Sequence, residues 1–269
     1  MSSLNLNCKP SAAIRFFMLV LAASIVATLW HPHWWVWISG IVVINHMVLT
    51  IAGLLPRSKL LGPNWDRLPA SAVQCREVSI TIDDGPDPQV TPQVLDILDR
   101  YQAKATFFCI GALAAKHPEL CREIVRRGQS VENHSQHHNT FFSLFGPMRI
   151  YREVQDAQRT LSAITGRTPQ FFRPTAGLRN LFLHPVLAHL GLHLASWTRR
   201  GFDTRESDPD TVFNKLVCNL GPGDILLLHD GNAAKTADGQ PIILNVLPRL
   251  LERLAQEQLH PVMLHSTLP

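Results

Sequence analysis

Apolar positions change their spacing twice along the chain. From residue 16 to residue 56 there is no Lys, Arg, Asp or Glu; residues 14–30 form one apolar run, His31-Pro32-His33 interrupts it, and residues 34–55 form a second. A membrane span needs about 20 apolar residues within a range of about 17–25, so both runs are long enough. Trp30, Trp34, Trp35 and Trp37 crowd around the interruption, where an aromatic belt at the headgroup level would sit. The pattern predicts a transmembrane helical hairpin over residues 1–59. A cleavable signal peptide is the competing reading, and a second apolar run so soon after the first argues against it.

Residues 60–76 read as a polar, proline-containing linker. From residue 77 onward, short β-branched runs alternate with stretches of helical spacing. Strands are predicted at residues 78–83, 104–111, 129–133, 170–173, 192–198, 224–228 and 262–264. Thr91-Pro92 reads as an N-cap followed by proline at the first helical position, and Val94, Leu95, Leu98 and Tyr101 line one helical face. Further helices are predicted over residues 112–127, restarted by Pro118, and over 148–165, closed by Gly166. Three more follow at 181–190, 209–220 and 244–258. Strict alternation of strand and helix predicts a parallel sheet, and polar residues delivered to strand ends predict an α/β barrel over residues 77–269.

Charge sharpens the picture of the two halves. Of 25 basic residues, Lys9, Arg15, Arg57 and Lys59 precede the first acidic residue, Asp66, and the 21 that remain equal the 21 acidic ones. The basic pI therefore belongs to the N-terminus, and no nucleic-acid face is indicated. Lys9 and Arg15 precede the first span, Arg57, Lys59 and Arg67 follow the second, and the connector has no Lys or Arg. The positive-inside rule then puts both ends, and the soluble domain, on the cytoplasmic side of the inner membrane. Cys8, Cys75, Cys109, Cys121 and Cys218 show no CxxC pairing and read as free thiols, mostly core fillers.

The chemistry concentrates at one stretch, VSITIDDGPD at residues 78–87, where a strand runs into Asp83 and Asp84 and then a Gly-Pro turn. Carboxylates at a buried strand mouth require a metal, a proton or a basic partner. HSQHH at residues 134–138 offers one: His134 and His138 at i, i+4 face the same way on a helical turn. Two His and one Asp make a facial metal site with open positions. PQFFRPTAG at residues 169–177 and GDILLLHDG at 223–231 each deliver one further polar residue, Arg173 and His229, to a strand end.

These motifs, in this order, resemble the polysaccharide deacetylases, the nodulation-factor deacetylase homology domain of carbohydrate esterase family 4, over residues 77–265. The resemblance implies an irregular (β/α) barrel of about seven parallel strands. It implies Asp84, His134 and His138 as ligands of a divalent ion, zinc foremost with cobalt, manganese or nickel as alternatives. It implies Asp83 as general base, Arg173 as the base's partner and His229 as general acid, with Leu227 in the leucine-x-histidine motif. Asp203, in RRGFD, stands where an acidic residue tunes the acid or the arginine. The main-chain N–H of Ala176 is the implied oxyanion donor; the family commonly has tyrosine there, which puts sugar contacts in doubt more than chemistry. The expected activity is removal of N-acetyl groups from amino sugars of a glycan, with a deformylase, an O-acetyl esterase and a non-catalytic glycan-binding membrane protein as alternatives. The hairpin turns the expected partner from free polymer to a lipid-linked glycan in the same bilayer.

Other conspicuous residues read as supporting ones. His137 is expected at the surface or behind the ligands, Ser135 and Asn133 as hydrogen-bonding support for the histidine loop, and His184, His189 and His193 as structural. Trp197 is expected in the core, and Asp87 as a turn residue before Pro88.

Overall fold

The alternating stretch folds as a curled parallel sheet. A computed structural model describes residues 10–268, so Cys8 and Lys9 lie outside the described residues. The strands are β1 (Glu77–Asp83), β2 (Ala105–Cys109), β3 (Ser130–Asn133), β4 (Phe171–Phe172), β5 (His193–Leu194), β6 (Arg199–Arg200), β7 (Ile225–His229) and β8 (His260–Pro261). Seven lie side by side in the order β5-β4-β3-β2-β1-β7-β6, β8 pairs with the start of β1, and every pairing is parallel.

Why the sheet curls follows from chain length. A flat row of seven strands would separate β5 from β6 by about 29 Å at the usual strand spacing. Only residues 195–198 join them, a reach of about 17 Å at most. The edges must therefore approach each other, giving the irregular barrel. The single strand expected over residues 192–198 is accordingly two short strands on opposite edges of the sheet. The bend between them is fixed by Trp65, whose N–H donates to Leu194 O at 2.8 Å and whose carbonyl accepts from Ser196 N at 2.8 Å.

Strand parity sorts the core into two layers. Val78, Ile80 and Ile82 of β1, with Leu226 and Leu228 of β7, belong to the apolar layer beneath the helices. Ile225 and Leu227 join Phe108, Phe171, Ala195 and Trp197 in the barrel interior, which is where Trp197 was expected. Ser79, Thr81 and Asp83 occupy the alternate, inward positions of β1 and are all buried.

Among the described residues ten α-helices accompany the sheet: α1 (Ala12–Trp30), α2 (Trp35–Leu54), α3 (Ala70–Gln74), α4 (Thr91–Arg100), α5 (Gly111–Lys116), α6 (Pro118–Arg126), α7 (Pro147–Thr165), α8 (Leu183–His189), α9 (Pro209–Val217) and α10 (Ile242–Gln256). Helix α7 ends at Gly166 in the left-handed conformation, φ 69°, which glycine adopts without a Cβ clash. Thr91 is the first helical residue and not the cap; its hydroxyl instead accepts from Asp87 N at 2.8 Å and donates to Asp230. Asp87 is a turn residue, with Oδ1 accepting from Gln89 N and Val90 N. The last strand lies two residues earlier than expected, at His260–Pro261, and Leu264–Thr267 is a 3-10 turn. Cys109 and Cys121 are buried free thiols; Cys75 and Cys218 are free but exposed, so they fill no core.

Helices α1 and α2 form an antiparallel pair long and apolar enough to cross a membrane, and their apolar side chains are largely exposed, Leu29 at 75% and Trp37 at 78%. Asn45 satisfies its amide by donating to Phe17 O across the pair at 3.3 Å. Residues 60–76 do not hang as a free linker: Leu61, Leu68 and Ala72 are buried and Leu68 N donates to Gly223 O at 2.9 Å. The end of α2 meets the barrel directly. Arg179 N donates to Gly53 O at 3.1 Å and Ser196 Oγ donates to Pro56 O at 2.6 Å. A Cβ on Gly53 would stand 2.2 Å from Arg179 O, so only glycine permits this approach.

Candidate active site

The site is built where β1, β3, β4 and β7 end. Parallel register sets Asp83 beside His229, and both side chains share the inward face with Thr81 and Leu227. Adjacent strands are about 4.8 Å apart, so the expected base and the expected acid are neighbours by construction. Arg173, one residue beyond β4, is fully buried. Its Nη1 donates to Asp83 Oδ1 at 2.7 Å and to Thr81 Oγ1 at 2.8 Å, and its Nη2 to Ser196 O at 2.9 Å. The guanidinium carbon lies 4.1 Å from the centre of the Phe108 ring. A buried cation held this way gives Asp83 a fixed rotamer and leaves Oδ2, 3.9 Å from His134 Nε2, facing the cleft.

Asp84 lies just past β1 with φ 74°. Its Oδ1 is 3.1 Å from His134 Nε2 and 3.0 Å from His138 Nε2, and one ligand atom from each of the three residues falls within 4.8 Å of the others. The histidines converge differently from the expected helical turn. Residues 134–138 form an irregular loop with positive φ at Ser135 and His138, pinned by Ser135 N donating to Asn133 Oδ1 at 2.9 Å and His138 N donating to Ser135 Oγ at 3.0 Å. Asn133 and Ser135 are thus the loop's support, as expected. His137 points away, exposed and paired with Glu153 Oε1 at 3.0 Å.

The donor set fits a divalent ion. His134 Nδ1 is 2.7 Å from Arg173 O, and a carbonyl can only accept, so Nδ1 carries the proton and Nε2 of the neutral ring presents a lone pair to Asp84. A lone pair and a carboxylate oxygen at 3.1 Å repel unless a cation or a proton lies between them. Burial opposes ionisation of Asp84, yet hydrogen bonds and charge from His134 and His138, in their protonated forms, hold its pKa far below the usual carboxylate range, the part that a bound cation would take over from those protons. Asp84 is therefore a carboxylate at any working pH.

On the other side of the cleft, Asp203 grips His229 twice: its Oδ1 accepts from the ring Nδ1 at 2.9 Å and its Oδ2 from the backbone N–H at 2.7 Å. Of the two neighbours the resemblance left open for Asp203, the expected acid or the arginine, the side chain that it contacts is His229. Burial would lower the His229 pKa, but the charge and hydrogen bond of Asp203, with smaller help from Asp83 and Asp84, push it up to about 9. Asp83, Asp84, His134, His138, Ala176 and His229 all line one cavity of about 240 Å³. Leu227 lines the same cavity, and Ala176 is left-handed at φ 54°.

Two residues near the site escape sequence reading. Asn232 Nδ2 donates to Asp84 Oδ2 at 3.3 Å, turning Oδ1 toward the histidines. Asp230, buried behind the ligand loop, accepts from the Thr91 hydroxyl and from Gly231 N; burial raises its pKa to about 7. HDGN at residues 229–232 was the available signal, but only tertiary contact tells which of its polar groups faces inward. His193 packs against Trp65 and Phe171 and is structural. His189 lies against Tyr151.

Comparison with known proteins agrees with this geometry. The family model described as polysaccharide deacetylase matches residues 70–195. A peptidoglycan-N-acetylglucosamine deacetylase of Bacillus cereus is 34% identical over 156 residues, covering 57% of this chain and 72% of that protein. A chitooligosaccharide deacetylase of Bradyrhizobium is 36% identical over 157 residues, covering 58% and 71%. Among solved structures, a family 4 carbohydrate esterase from Streptomyces lividans in complex with acetate aligns with TM-score 0.63 at 31% identity, over 70% of this chain and 92% of that one. A family 4 pseudoenzyme from Bacillus anthracis shares the fold at TM-score 0.65 and 22% identity, over 72% and 66%. With relatives above 30% identity matched over more than two thirds of their length, the chain belongs to the polysaccharide deacetylase family.

Proposed function

We propose that the protein is a metal-dependent hydrolase that removes N-acetyl groups from amino sugars of a glycan held on a lipid carrier. The observation that carries the reading is the opposition, across one small cavity, of an arginine-held carboxylate and a histidine hydrogen-bonded to a second carboxylate. An amide resists hydrolysis because its carbonyl is a poor electrophile and its leaving amine needs a proton. A divalent ion held by Asp84, His134 and His138 would lower the pKa of water and polarise the acyl carbonyl.

The chain's own residues do the rest. Asp83, immobilised by Arg173, takes the proton from the attacking water through its free Oδ2. The Ala176 main chain offers an N–H to the developing oxyanion. His229, protonated at neutral pH with Asp203 holding Nδ1–H, delivers the Nε2 proton to the departing nitrogen. Such an acid supports an amide substrate over an ester, since an alkoxide leaves with less need of protonation than an amine.

Lipid linkage is supported by the contact of α2 with the cleft. Gly53 and Pro56 touch the segment running from Thr175 to Arg179, and Thr175, Ala176 and Gly177 of that segment line the cavity. A hairpin over residues 1–59 in the inner membrane would hold the catalytic unit, residues 77–269, with its mouth beside the bilayer, on the cytoplasmic side by the placement of Arg15, Arg57 and Lys59.

The test is a full-length preparation in detergent loaded with Zn²⁺, Co²⁺ or Mn²⁺ and offered free chitooligosaccharides and lipid-linked N-acyl sugars. Acetate release is expected, greatest from the lipid-linked substrates. Formate as the product would make the protein a deformylase. Activity that survives Asp83→Asn and His138→Ala would refute the mechanism, and loss of metal stoichiometry without any hydrolysis by wild type would leave a glycan-binding pseudoenzyme. A periplasm-active reporter fused to the C-terminus would reverse the orientation.

A further inference from the structure

Two arginines in the cleft have no anionic partner. Arg200 and Arg205 line the same cavity as Asp83 and His229, yet among the described residues neither guanidinium makes an ion pair or a hydrogen bond. Arg200 sits in register with Leu227 on the inner face of the sheet, whereas its neighbour Arg199 turns to the other face and pairs with Asp224 at 3.0 Å. The Arg200 guanidinium is held between aromatic rings, its carbon 5.4 Å from the Trp197 ring centre and 4.9 Å from that of Phe202, and its Nε is buried with no acceptor.

The carboxylates nearby are all engaged elsewhere. Asp83 is held by Arg173, Asp84 by the histidines, Asp203 by His229, and Glu206, next to Arg205, by Lys215 at 3.3 Å. With a divalent ion balancing Asp84, the cavity carries surplus positive charge on the Arg200 and Arg205 side. A neutral N-acetylated oligosaccharide supplies nothing to balance it. Guanidinium groups pair with phosphate and carboxylate through two parallel N–H bonds, and rigid stacking on aromatic rings lowers the entropy lost when such a pair forms.

We propose that Arg200 and Arg205, with Thr204, which lines the same cavity, form an oxyanion subsite, so that the preferred substrate carries a phosphate or carboxylate on or next to the N-acylated sugar. The position of the reacting amide rests on the hydrolase reading above; the charge preference is testable without turnover. A phosphate would come from the linkage to a lipid carrier, a carboxylate from an acidic sugar in the glycan.

The experiment uses full-length Asp83→Asn protein in detergent, with and without Zn²⁺. Calorimetric titrations compare N-acetylglucosamine 1-phosphate, the methyl glycoside of N-acetylglucosamine, and a disaccharide joining that sugar to a uronic acid. An oxyanion-bearing ligand is expected to bind about tenfold or more tighter than the neutral glycoside, as charge-assisted hydrogen bonds imply. Arg200→Gln and Arg205→Gln should each remove most of that preference while leaving neutral binding within about twofold. Tighter binding of the phosphate identifies a carrier linkage, and of the uronate an acidic glycan. Equal affinity for charged and neutral ligands overturns the proposal. So does a preference that persists in the double variant, which would assign it to the metal ion. Arg205 is exposed, so its variant tests the subsite even if Arg200→Gln fails to fold. Acetate release by wild type from the same ligands is read separately, so a failed hydrolase reading and a failed oxyanion subsite give different results.

Discussion

Replacing Asp203 by Asn tests how the acid is kept charged. In the native protein the His229 pKa rises from 6.5 to about 9 although burial pulls it down, which corresponds to roughly 3 kcal/mol of preference for the imidazolium. Asp203 supplies the largest favourable contributions through its charge and its 2.9 Å contact with Nδ1. Asn keeps the shape but has no charge and one acceptor oxygen for two donors. Burial then dominates, and the His229 pKa falls to the ordinary value near 6.5 or below. The alkaline limb of kcat/KM should move from near pH 9 to near or below 6.5, and activity at pH 8 should drop by about 30-fold or more, the fall in the protonated fraction of the acid. Stability carries the same sign. A pKa raised on folding means that the native state binds the proton more tightly, so the stabilisation is complete below about 6.5 and is lost as pH rises through about 9. The melting-temperature gap between wild type and Asp203→Asn should therefore be widest below pH 6.5 and close above pH 9. A pH-rate profile by acetate release and melting curves at the two ends check this. An unmoved alkaline limb with only a uniform loss of rate would refute the reasoning.

Three further outcomes are expected. Arg173→Met should leave the Asp83 carboxylate buried and unpaired and cost about 3–5 kcal/mol in urea unfolding; a loss under 1 kcal/mol would mean that Asp83 is not held as described. Asn232→Ala should weaken metal affinity by about tenfold, the lower end for loss of a hydrogen bond to a ligand, with thermal stability of the metal-free protein little changed; competition with a chelator reads the difference. Gly53→Val should force apart α2 and the Arg179 carbonyl, lowering unfolding stability by about 1–3 kcal/mol as overpacking does, and unchanged melting would show that this contact does not form.

What the sequence revealed tracks how local each feature is. Two acids at the end of a buried strand need compensation wherever the chain goes, so Asp83 and Asp84 were legible from VSITIDDGPD itself. Their partners were legible as residue types but not as geometry. The i, i+4 spacing of His134 and His138 reads as a helical turn, yet Ser135 and His138 take positive φ, a conformation with no strong signature outside glycine and asparagine. The split of residues 192–198 was invisible because LHLASWT has continuous strand propensity, and what holds the bend is tertiary: the bridge to Trp65 and the bonds of Ser196 to Arg173 and Pro56. Propensity yields to tertiary pairing in strands this short.

The docking of the hairpin was hidden for the same reason in stronger form. Residues 60–76 are polar enough to read as a linker, and nothing local distinguishes Gly53, in an apolar run, from any small residue of a membrane helix. In the fold, Arg179 donates its N–H to Gly53 O and its guanidinium to Ser58 O, and burial lowers its pKa to about 10. A buried arginine spent on backbone carbonyls contributes little net stability. Its consequence is geometric: the last turn of α2 is tied by backbone hydrogen bonding to the segment that carries Thr175, Ala176 and Gly177, the residues that line one side of the cavity.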